Sequence, residues 1–262
     1  MKTKWGENSW EEIAAMAKSG AVAVTAWGST EQHGPMLPVD TDIHIAERLA
    51  NDGARVAFQK HNVPALVLPT MPYGLALHHI RFAGTVTLQP ETYVAVVADV
   101  LRCAVQHGFR RIAVVSGHGG NEPGLQLGIR KVVMEFLNTT PVRIATFAGH
   151  RDPEFAKLSR EIWKNEPPEG QMGIHASRWE TSETLADRPD LVRRDRMAKP
   201  TLREKAVPEW AWMTDELSPT GAFGDPTQAR PDLGERIWAA WAEAVGLFIK
   251  RLWETPLTER DG

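Results

Sequence analysis

The chain has 262 residues and a formal net charge of -3, with 30 basic and 33 acidic side chains. This balance gives no electrostatic footprint for nucleic acid or an anionic membrane surface, and the apolar runs fall short of the roughly 20 residues that a membrane-spanning helix needs. Cys103 is the only cysteine, which excludes an intrachain disulfide, and no charged-then-apolar leader precedes Trp5, so we expect a soluble cytoplasmic protein with neither nucleic acid nor membrane as a partner.

Helices and strands are predicted to alternate along the first half of the chain. An amphipathic helix at 9–18, capped by Asn8 or Ser9, leads into a β-branched run at 21–26. The alternation continues with helices at 43–60, 89–107 and 122–137 and with apolar strands at 63–71, 111–115 and 142–147. Strands that are apolar almost throughout favour a parallel sheet covered by helices on both faces, which places the chain in the α/β class.

The second half of the chain is less regular. A last helix is predicted at 232–253 from its apolar stripe. The segment 200–231 is rich in Pro, Gly and Trp without a clear period, and its length makes it a candidate lid or oligomer arm. No Pro-, Gly- or Ser-rich linker divides the chain, so 1–262 is expected to form a single domain. Four tryptophans are candidates for the wall of a pocket: Trp163, Trp179, Trp210 and Trp212.

Side chains that can bind metal follow the ends of the first three predicted strands. Glu31, His33 and Asp42 come after the first strand, His79 after the second and His118 after the third. Ligands of open parallel sheets bind outside the carboxyl ends of the strands, so these loops are expected to converge on one cleft. Carboxylate and imidazole groups are what zinc, manganese or iron accepts, and the sequence therefore predicts a metal site there.

The glycine-rich loop around His118 has two interpretations when it is taken alone. Its glycines allow the backbone to approach a ligand closely, and the helix after Asn121 directs its positive end into the same cleft, which suits an anion or a polarised carbonyl. The alternative, which we favour for the isolated loop, is a turn that only connects strand to helix. A further segment supplies His175 and Glu180, five residues apart beside a predicted helix start, and this signal is weaker still.

Taken together, these motifs resemble those of the creatininase (creatinine amidohydrolase) family. Family members carry a Glu-x-His-Gly loop ending in Thr-Asp, a Gly-His-Gly-Gly-Asn loop and a His-Ala-x-x-x-Glu-Thr-Ser segment, and all three occur here in order. Further matches are Tyr73-Gly74, His79, Phe82-Ala83-Gly84-Thr85 and the segment 188–192. The resemblance covers 5–192, and the ordered set is far more specific than any one motif.

The resemblance implies a three-layer αβα sandwich with a mostly parallel sheet, and a homo-oligomer that is commonly a hexamer. It also implies two divalent cations, zinc, manganese or iron, whose shared water attacks the carbonyl carbon of an amide, often in a ring. Two such cations can lower the pKa of that water towards 7 and polarise the substrate oxygen. The ligands carried over are Glu31 and His118 for the first cation, His33 and Glu180 for the second, and Asp42 between both.

The resemblance also assigns catalytic and substrate-binding positions. His175 corresponds to the family residue that handles protons, and with Glu180 it is a candidate catalytic residue; the alternative for His175 is a hydrogen bond to a ligating carboxylate. The candidates for substrate contact are His79, Gly119, Gly120 and Asn121. A neighbouring His78 stands where the family often has glutamate.

Two departures from the family pattern affect the expected substrate. Creatinine-hydrolysing members carry a metal-ligating glutamate where this chain has Gly120, and a second glutamate where it has Ile174. Both point away from creatinine, towards a branch that includes deformylases of ring-opened purine or pyrimidine intermediates and peptide-processing proteins of redox-cofactor pathways. We therefore expect hydrolysis of a non-peptide carbon–nitrogen bond in a cyclic amide or formamide, with lactonase or peptidase activity as alternatives. A hypothesis of another class is a metal-free module that binds a small anion on a flavodoxin-like sheet.

Overall fold

A four-stranded parallel sheet forms the centre of the protein, in a computed structural model that describes residues 2–164, 166–167, 175–203 and 212–257. The strands are β1 (Val22–Trp27), β2 (Ala65–Val67), β3 (Arg111–Ser116) and β4 (Arg143–Thr146), in the spatial order β2-β1-β3-β4. The chain adds β2 on one side of β1 and then returns to add β3 on the other. The carboxyl ends of β1 and β3 therefore flank a topological switch point, where ligands of such sheets bind.

Helices cover both faces of the sheet, which confirms the predicted α/β sandwich. Those in the described residues are α1 (Trp10–Lys18), α2 (Thr41–His61), α3 (Pro90–Gln106), α4 (Glu122–Glu135), α5 (Pro153–Trp163), α6 (Arg178–Asp187), α7 (Thr214–Leu217) and α8 (Pro231–Glu254). One core cluster joins the sheet to α2, α5, α6 and α8, and a second joins it to α1, α3 and α4. None of the helices in these ranges has the length and apolarity that a bilayer crossing requires.

The burial of β1 shows why its sequence is apolar on consecutive residues. Val22, Val24 and Ala26 pack into the cluster beneath α2 and α8, whereas Ala23 and Trp27 pack into the cluster beneath α3 and α4. Because side chains alternate between the faces of a strand, a strand that is covered on both faces has no solvent-facing positions to fill with polar residues.

Outside the segment 200–231, two elements differ clearly from the sequence prediction. The second strand is three residues long instead of the predicted 63–71, because Pro64 and Pro69 enclose it and proline has no N–H to donate to a neighbouring strand. Helix α5 was not predicted, although Asp152 caps it by accepting hydrogen bonds from the main-chain N–H groups of Glu154 and Phe155. Its start is an Asp-Pro pair, a common signal for a helix N-terminus.

The segment 200–231 is described at 200–203 and 212–231, with 204–211 outside the described residues. Beyond the short helix α7, Ser218 and Ala222 are buried, and the chain at Gly221 touches the loop that follows β1. This half of the segment packs against the protein. A role as lid or oligomer arm stays a prediction.

Helices α2 and α8 approach each other through glycines on both partners. A Cβ atom at Gly53 would overlap the side chain of Val245, and one at Gly246 would overlap that of Val56. This explains a glycine in the interior of α2, where alanine would be favoured by about 1 kcal/mol in an isolated helix.

We expect Gly53→Ala to lower the free energy of unfolding by about 1–3 kcal/mol, because the added methyl group overpacks the contact with Val245. The measurement is urea unfolding followed by circular dichroism. In a Val245→Ala background, the space is free and the same substitution should cost little or stabilise. A stabilising Gly53→Ala in the unaltered chain would contradict this account of the helix contact.

Candidate metal centre

Five side chains from separate parts of the chain meet at the carboxyl edge of the sheet. Glu31 and His33 lie on the loop after β1, Asp42 in the first turn of α2, His118 after β3 and Glu180 in the first turn of α6. All five are buried. The convergence expected from the strand order is therefore observed, and it includes the weaker candidate Glu180.

The nitrogen and oxygen atoms of these residues form two groups that share Asp42. The Nδ1 atom of His118 lies 3.2 Å from Glu31 Oε2 and 3.2 Å from Asp42 Oδ2. The Nε2 atom of His33 lies 3.1 Å from Asp42 Oδ1 and 3.8 Å from Glu180 Oε2. Within each group, one atom per residue lies within 4.8 Å of the others, close enough to hold a metal ion.

Main-chain carbonyls orient both histidines for this task. His33 Nδ1 is 3.2 Å from the carbonyl oxygen of Glu31, and His118 Nε2 is 3.1 Å from that of Leu75. When these nitrogens carry the proton, each donates to its carbonyl and the other ring nitrogen presents a lone pair to the carboxylates. Such hydrogen bonds fix the tautomer of metal-ligating histidines.

Glycines allow the loops to come this close. A Cβ atom at Gly117 would collide with the main-chain oxygen of Asp42, so the start of α2 can lie directly against the loop after β3 only because residue 117 is glycine. At Gly120 a Cβ atom would collide with the ring of His118 and the carbonyl oxygen of Leu75. Close packing therefore requires glycine at positions 117 and 120 of this loop.

Asn121 joins three loops through its amide. Its Oδ1 atom accepts a hydrogen bond from the main-chain N–H of Leu75 (2.9 Å), and its Nδ2 atom donates to the carbonyl of Gly28 (3.0 Å). The side chain is fully buried. These contacts give Asn121 a structural task, and its proposed contact with substrate stays a prediction, as do those of Gly119 and Gly120.

The electrostatics of the centre fit a bound cation. Both carboxylate oxygens of Glu31 and the Oδ2 atom of Asp42 are buried and face imidazole nitrogens at 3.2 to 3.6 Å, without a hydrogen bond of good geometry among the described residues. Burial alone would raise the pKa of Asp42, but His33 and His118 hold it well below its usual range. Buried carboxylates without hydrogen bonds are costly, and a divalent cation would satisfy them.

Without a metal, protons compensate part of this charge. Burial disfavours the charged imidazole of His33, but Asp42 and Glu180 outweigh burial and raise its pKa to about 10. Burial, together with the nearby Asp42 carboxylate, raises the pKa of Glu180 to about 8 although His33 opposes the shift. A metal ion would have to displace such protons, because ligands bind metal in their deprotonated form.

A second layer of residues holds two further histidines over Glu31. His79 Nε2 lies 3.3 Å from Glu31 Oε1, and His175 Nδ1 lies 3.6 Å from the same atom. The amide nitrogen of Gln32 is within hydrogen-bonding distance of both rings, at 2.7 Å from His79 Nδ1 and 2.9 Å from His175 Nε2. Thr214 adds a hydroxyl at 2.8 Å from His79 Nδ1.

Sequence reasoning missed Gln32 and Thr214. The signal for Gln32 was its place between two predicted ligands, whereas Thr214 lies far away in the chain and could not be connected to the site. His79 is buried, and His175 is the more accessible of the two histidines above Glu31. The atoms of Glu31, His33 and His175 also form a group that could hold a metal, so the structure allows His175 as a ligand as well as a proton carrier.

A cavity of about 430 Å³ adjoins the centre at the ends of β3 and β4. The proposed ligands His118 and Glu180 line one side of this cavity together with Gly119. Trp179 also lines the cavity, as predicted. Of the other tryptophans considered, Trp163 packs on Trp179, Trp212 lies against His78, and Trp210 is outside the described residues, as is Ile174.

Comparisons with known proteins agree with the motifs. A family model described as creatininase, creatinine amidohydrolase, matches residues 6–249. A mycofactocin precursor peptide peptidase from Mycobacterium tuberculosis (strain ATCC 25618 / H37Rv) is 31% identical over 221 residues, covering 82% of this chain and 79% of that protein. A creatinine amidohydrolase from Pseudomonas putida is 30% identical over 208 residues, covering 73% and 74%. The solved structure named "Creatininase Mn" matches with a TM-score of 0.83 at 22% identity, over 97% of this chain and 100% of that one.

We expect Asp42→Ala to lose most of the bound metal, because Asp42 belongs to both of the ligand groups described above. One group contains His118 and the other contains Glu180. Elemental analysis of protein purified without chelator measures this. Asp40→Asn is the matched control, since Asp40 lies two residues earlier and pairs with Arg188 at 2.8 Å instead of facing the centre. Full metal content in Asp42→Ala would refute the shared-ligand arrangement.

We also expect the stabilisation by metal to increase with pH. In metal-free protein, the contribution of the His33 ion pairs to stability is complete below pH 6.5 and is lost as the pH rises towards about 10. The difference in melting temperature between metal-loaded and metal-free protein should therefore widen across this range at a fixed concentration of free metal. The exposed His107 serves as control, and His107→Gln should show the same trend. A difference that stays constant with pH would show that metal displaces no proton here.

Proposed function

We propose that this chain, which belongs to the creatininase family and is a hydrolase of carbon–nitrogen bonds, holds two divalent cations and hydrolyses a small cyclic amide or a formamide. The observation that carries the proposal is the pair of ligand groups that share Asp42. A single carboxylate that faces both groups is what a two-metal site needs to keep its ions close together. The solved structure named "Creatininase Mn", which has the same fold, supports a metal-dependent reaction.

The donors suit zinc, manganese or iron. All three metals accept mixed carboxylate and imidazole ligands, so the ligand types alone do not select one of them, and the metal that is bound also depends on which metal is available. When bound, two cations lower the pKa of a shared water and polarise the carbonyl oxygen of the substrate. The residues that would hold them are Glu31 and His118 for one, His33 and Glu180 for the other, and Asp42 for both.

His175 is the residue that we assign to proton transfer. It stands at the open side of Glu31, with Nδ1 towards the carboxylates and Nε2 towards Gln32. Hydrolysis of an amide requires a proton on the departing nitrogen. Burial, together with the nearby His33 and His79, holds the pKa of His175 well below its usual range, so the ring is neutral and would first take a proton and then return it. The hydrogen bond from Gln32 keeps the ring in place for both steps.

A peptidase is the second candidate. It is favoured by the relative from Mycobacterium tuberculosis, which is named a peptide peptidase and matches 82% of this chain. The activated water and His175 would act in the same way on a peptide bond. A metal-free anion-binding module, the hypothesis of another class, does not account for membership of a hydrolase family.

The oligomeric state is part of the proposal. We expect a homo-oligomer, with six subunits as the family commonly has, and a cytoplasmic location without nucleic acid or membrane partners. Leu127 and Met134 support an oligomer, because these apolar side chains are largely exposed two turns apart on α4. Light scattering on purified protein measures the subunit number.

The test of function is hydrolysis by metal-free protein that has been reloaded with zinc, manganese or iron. Small cyclic amides, formamides and short peptides are assayed side by side by detection of the released amine. We expect turnover of a cyclic amide or formamide that disappears in Asp42→Ala. Turnover of peptides alone would establish the second candidate, and no turnover of any amide would overturn both.

His175→Ala should keep its metal and lose about 10²- to 10⁴-fold in kcat, the usual contribution of general acid–base catalysis. Metal content by elemental analysis and kcat are measured on the same preparation. His107→Ala, at an exposed histidine at the end of α3 that does not line the cavity, is the control and should retain most of kcat. Loss of metal in His175→Ala would instead place His175 among the ligands.

A further inference from the structure

The contacts of His79 point to one fixed role for this buried ring beside the metal centre. Its Nε2 atom lies 3.3 Å from Oε1 of the proposed ligand Glu31. Its other nitrogen, Nδ1, lies 2.7 Å from the amide nitrogen of Gln32 and 2.8 Å from the hydroxyl oxygen of Thr214. The nitrogen that carries the proton decides whether the ring attracts or repels the carboxylate of Glu31.

The amide of Gln32 has only one orientation that satisfies its main-chain neighbours. Its Oε1 atom accepts a hydrogen bond from the main-chain N–H of Gly34 at 2.9 Å, and its Nε2 atom donates to the carbonyl oxygen of Gly221 at 3.1 Å. A main-chain N–H cannot accept and a carbonyl oxygen cannot donate, so turning the amide by 180° would lose both hydrogen bonds. The group that faces His79 is therefore the NH₂ group, which is a donor.

A donor at this distance disfavours a proton on Nδ1 of His79. Two N–H groups that face each other at 2.7 Å would repel, so Nδ1 accepts and the neutral ring carries its proton on Nε2. The doubly protonated ring is disfavoured for the same reason. Burial, together with the neighbouring His78, lowers the pKa of His79, which agrees with a neutral ring. The Nε2–H group then faces the buried carboxylate of Glu31.

The hydroxyl of Thr214 completes the hydrogen bonds around this amide. The two amide hydrogens of Gln32 face three acceptors, which are His79 Nδ1, His175 Nε2 at 2.9 Å and the carbonyl oxygen of Gly221. Thr214 is fully buried, and its hydroxyl hydrogen supplies the third donor, directed at His79 Nδ1. Every acceptor of the group can then be satisfied, as buried polar groups require.

We propose that Thr214 and Gln32 hold His79 as a neutral ring whose N–H faces Glu31, so that His79 positions a metal ligand instead of contacting substrate. Thr214 is thereby a positioning residue, contributed by a part of the chain 135 positions beyond His79. The inference rests on the proposed function in one respect, the assignment of Glu31 as a ligand. At 3.3 Å the contact is an electrostatic attraction between the N–H group and the carboxylate, and burial strengthens such attractions.

The zinc affinity of the full-length protein tests the role of Thr214 without the use of catalysis. It is measured by competition with a chromogenic zinc chelator at fixed pH. Residues that orient metal ligands typically change metal affinity about 10- to 100-fold when they are replaced. We expect Thr214→Val, which keeps the shape of the side chain and removes the hydroxyl, to weaken zinc binding about 5-fold or more, and Thr214→Ser to stay within about 2-fold of the unaltered chain.

Thr227→Val is the matched control for Thr214→Val. Thr227 is exposed on the same segment 212–231, and its hydroxyl donates to Asp225 instead of to the site. The zinc affinity of this variant should equal that of the unaltered chain. The melting temperature of each metal-free variant shows whether a change in affinity comes from a disturbed fold.

Substitutions of His79 test which nitrogen carries the proton. The side-chain nitrogen of glutamine can take the place of Nε2, whereas asparagine is shorter and its amide takes the place of Nδ1. We therefore expect His79→Gln to keep zinc affinity within about 3-fold and His79→Asn to lose about 10-fold or more. In the His79→Asn background, Thr214→Val should cause no further loss, because Thr214 acts through the ring of His79.

Zinc affinity that is unchanged in both Thr214→Val and His79→Asn would overturn the proposal and favour substrate contact by His79, and an unaltered chain that binds no zinc would also overturn it. Equal losses in His79→Gln and His79→Asn would contradict a proton on Nε2. Losses that add in the double variant would contradict the action of Thr214 through His79. Absence of amide hydrolysis with the zinc effects intact would remove the proposed reaction and leave the positioning of Glu31 in place.

Discussion

The burial of three carboxyl groups at one edge of the sheet is the constraint on which the centre depends. Glu31, Asp42 and Glu180 lie away from water, and oxygens of the first two lack hydrogen-bond partners in the described part of the chain. Uncompensated charge in such a place costs several kcal/mol per ion. Histidines that hold protons can compensate part of this charge, as the raised pKa of His33 shows. Divalent cations would compensate it more completely, which is why the proposed function follows from the charges as well as from the family.

The surrounding fold serves to bring these charges together and to keep them from separating. Gly117 allows the start of α2 to contact the loop after β3, and Asn121 ties that loop to the chain after β1 and β2. Main-chain carbonyls then set the rings of His33 and His118. The contacts that position the ligands are thus mostly to backbone, which does not change rotamer and so holds the geometry when a metal ion is lost or gained.

Much of the fold and of the candidate ligand set could be predicted because both follow from local sequence patterns. Strands that are apolar on consecutive residues indicate a sheet covered on both faces, and parallel strands end at one edge, so Glu31, Asp42 and His118 had to be neighbours. What could not be predicted depends on partners that are distant in sequence. Gln32 acquires its role only when His79 and His175 lie on either side of it, and Thr214 contacts His79 although the two residues are far apart in sequence.

The proposed role of Glu180 as a ligand would account for one departure of this chain from the pattern that the resemblance implies for creatinine-hydrolysing members, in which a glutamate stands at the position of Gly120. Here the ring of His118 and the carbonyl of Leu75 fill the space that a side chain at 120 would need, so that loop cannot supply a carboxylate. In the proposed centre the start of α6 would supply it instead. The N–H of Ala176 donates to Glu180 Oε2 at 2.6 Å, and Ala176 adopts a φ of 52°. Left-handed backbone costs a non-glycine residue about 1–2 kcal/mol, and the buried packing of the Ala176 methyl group and this hydrogen bond offset that cost. Because His175 directly precedes the strained residue, one turn of chain sets both the proposed ligand and the proposed proton carrier.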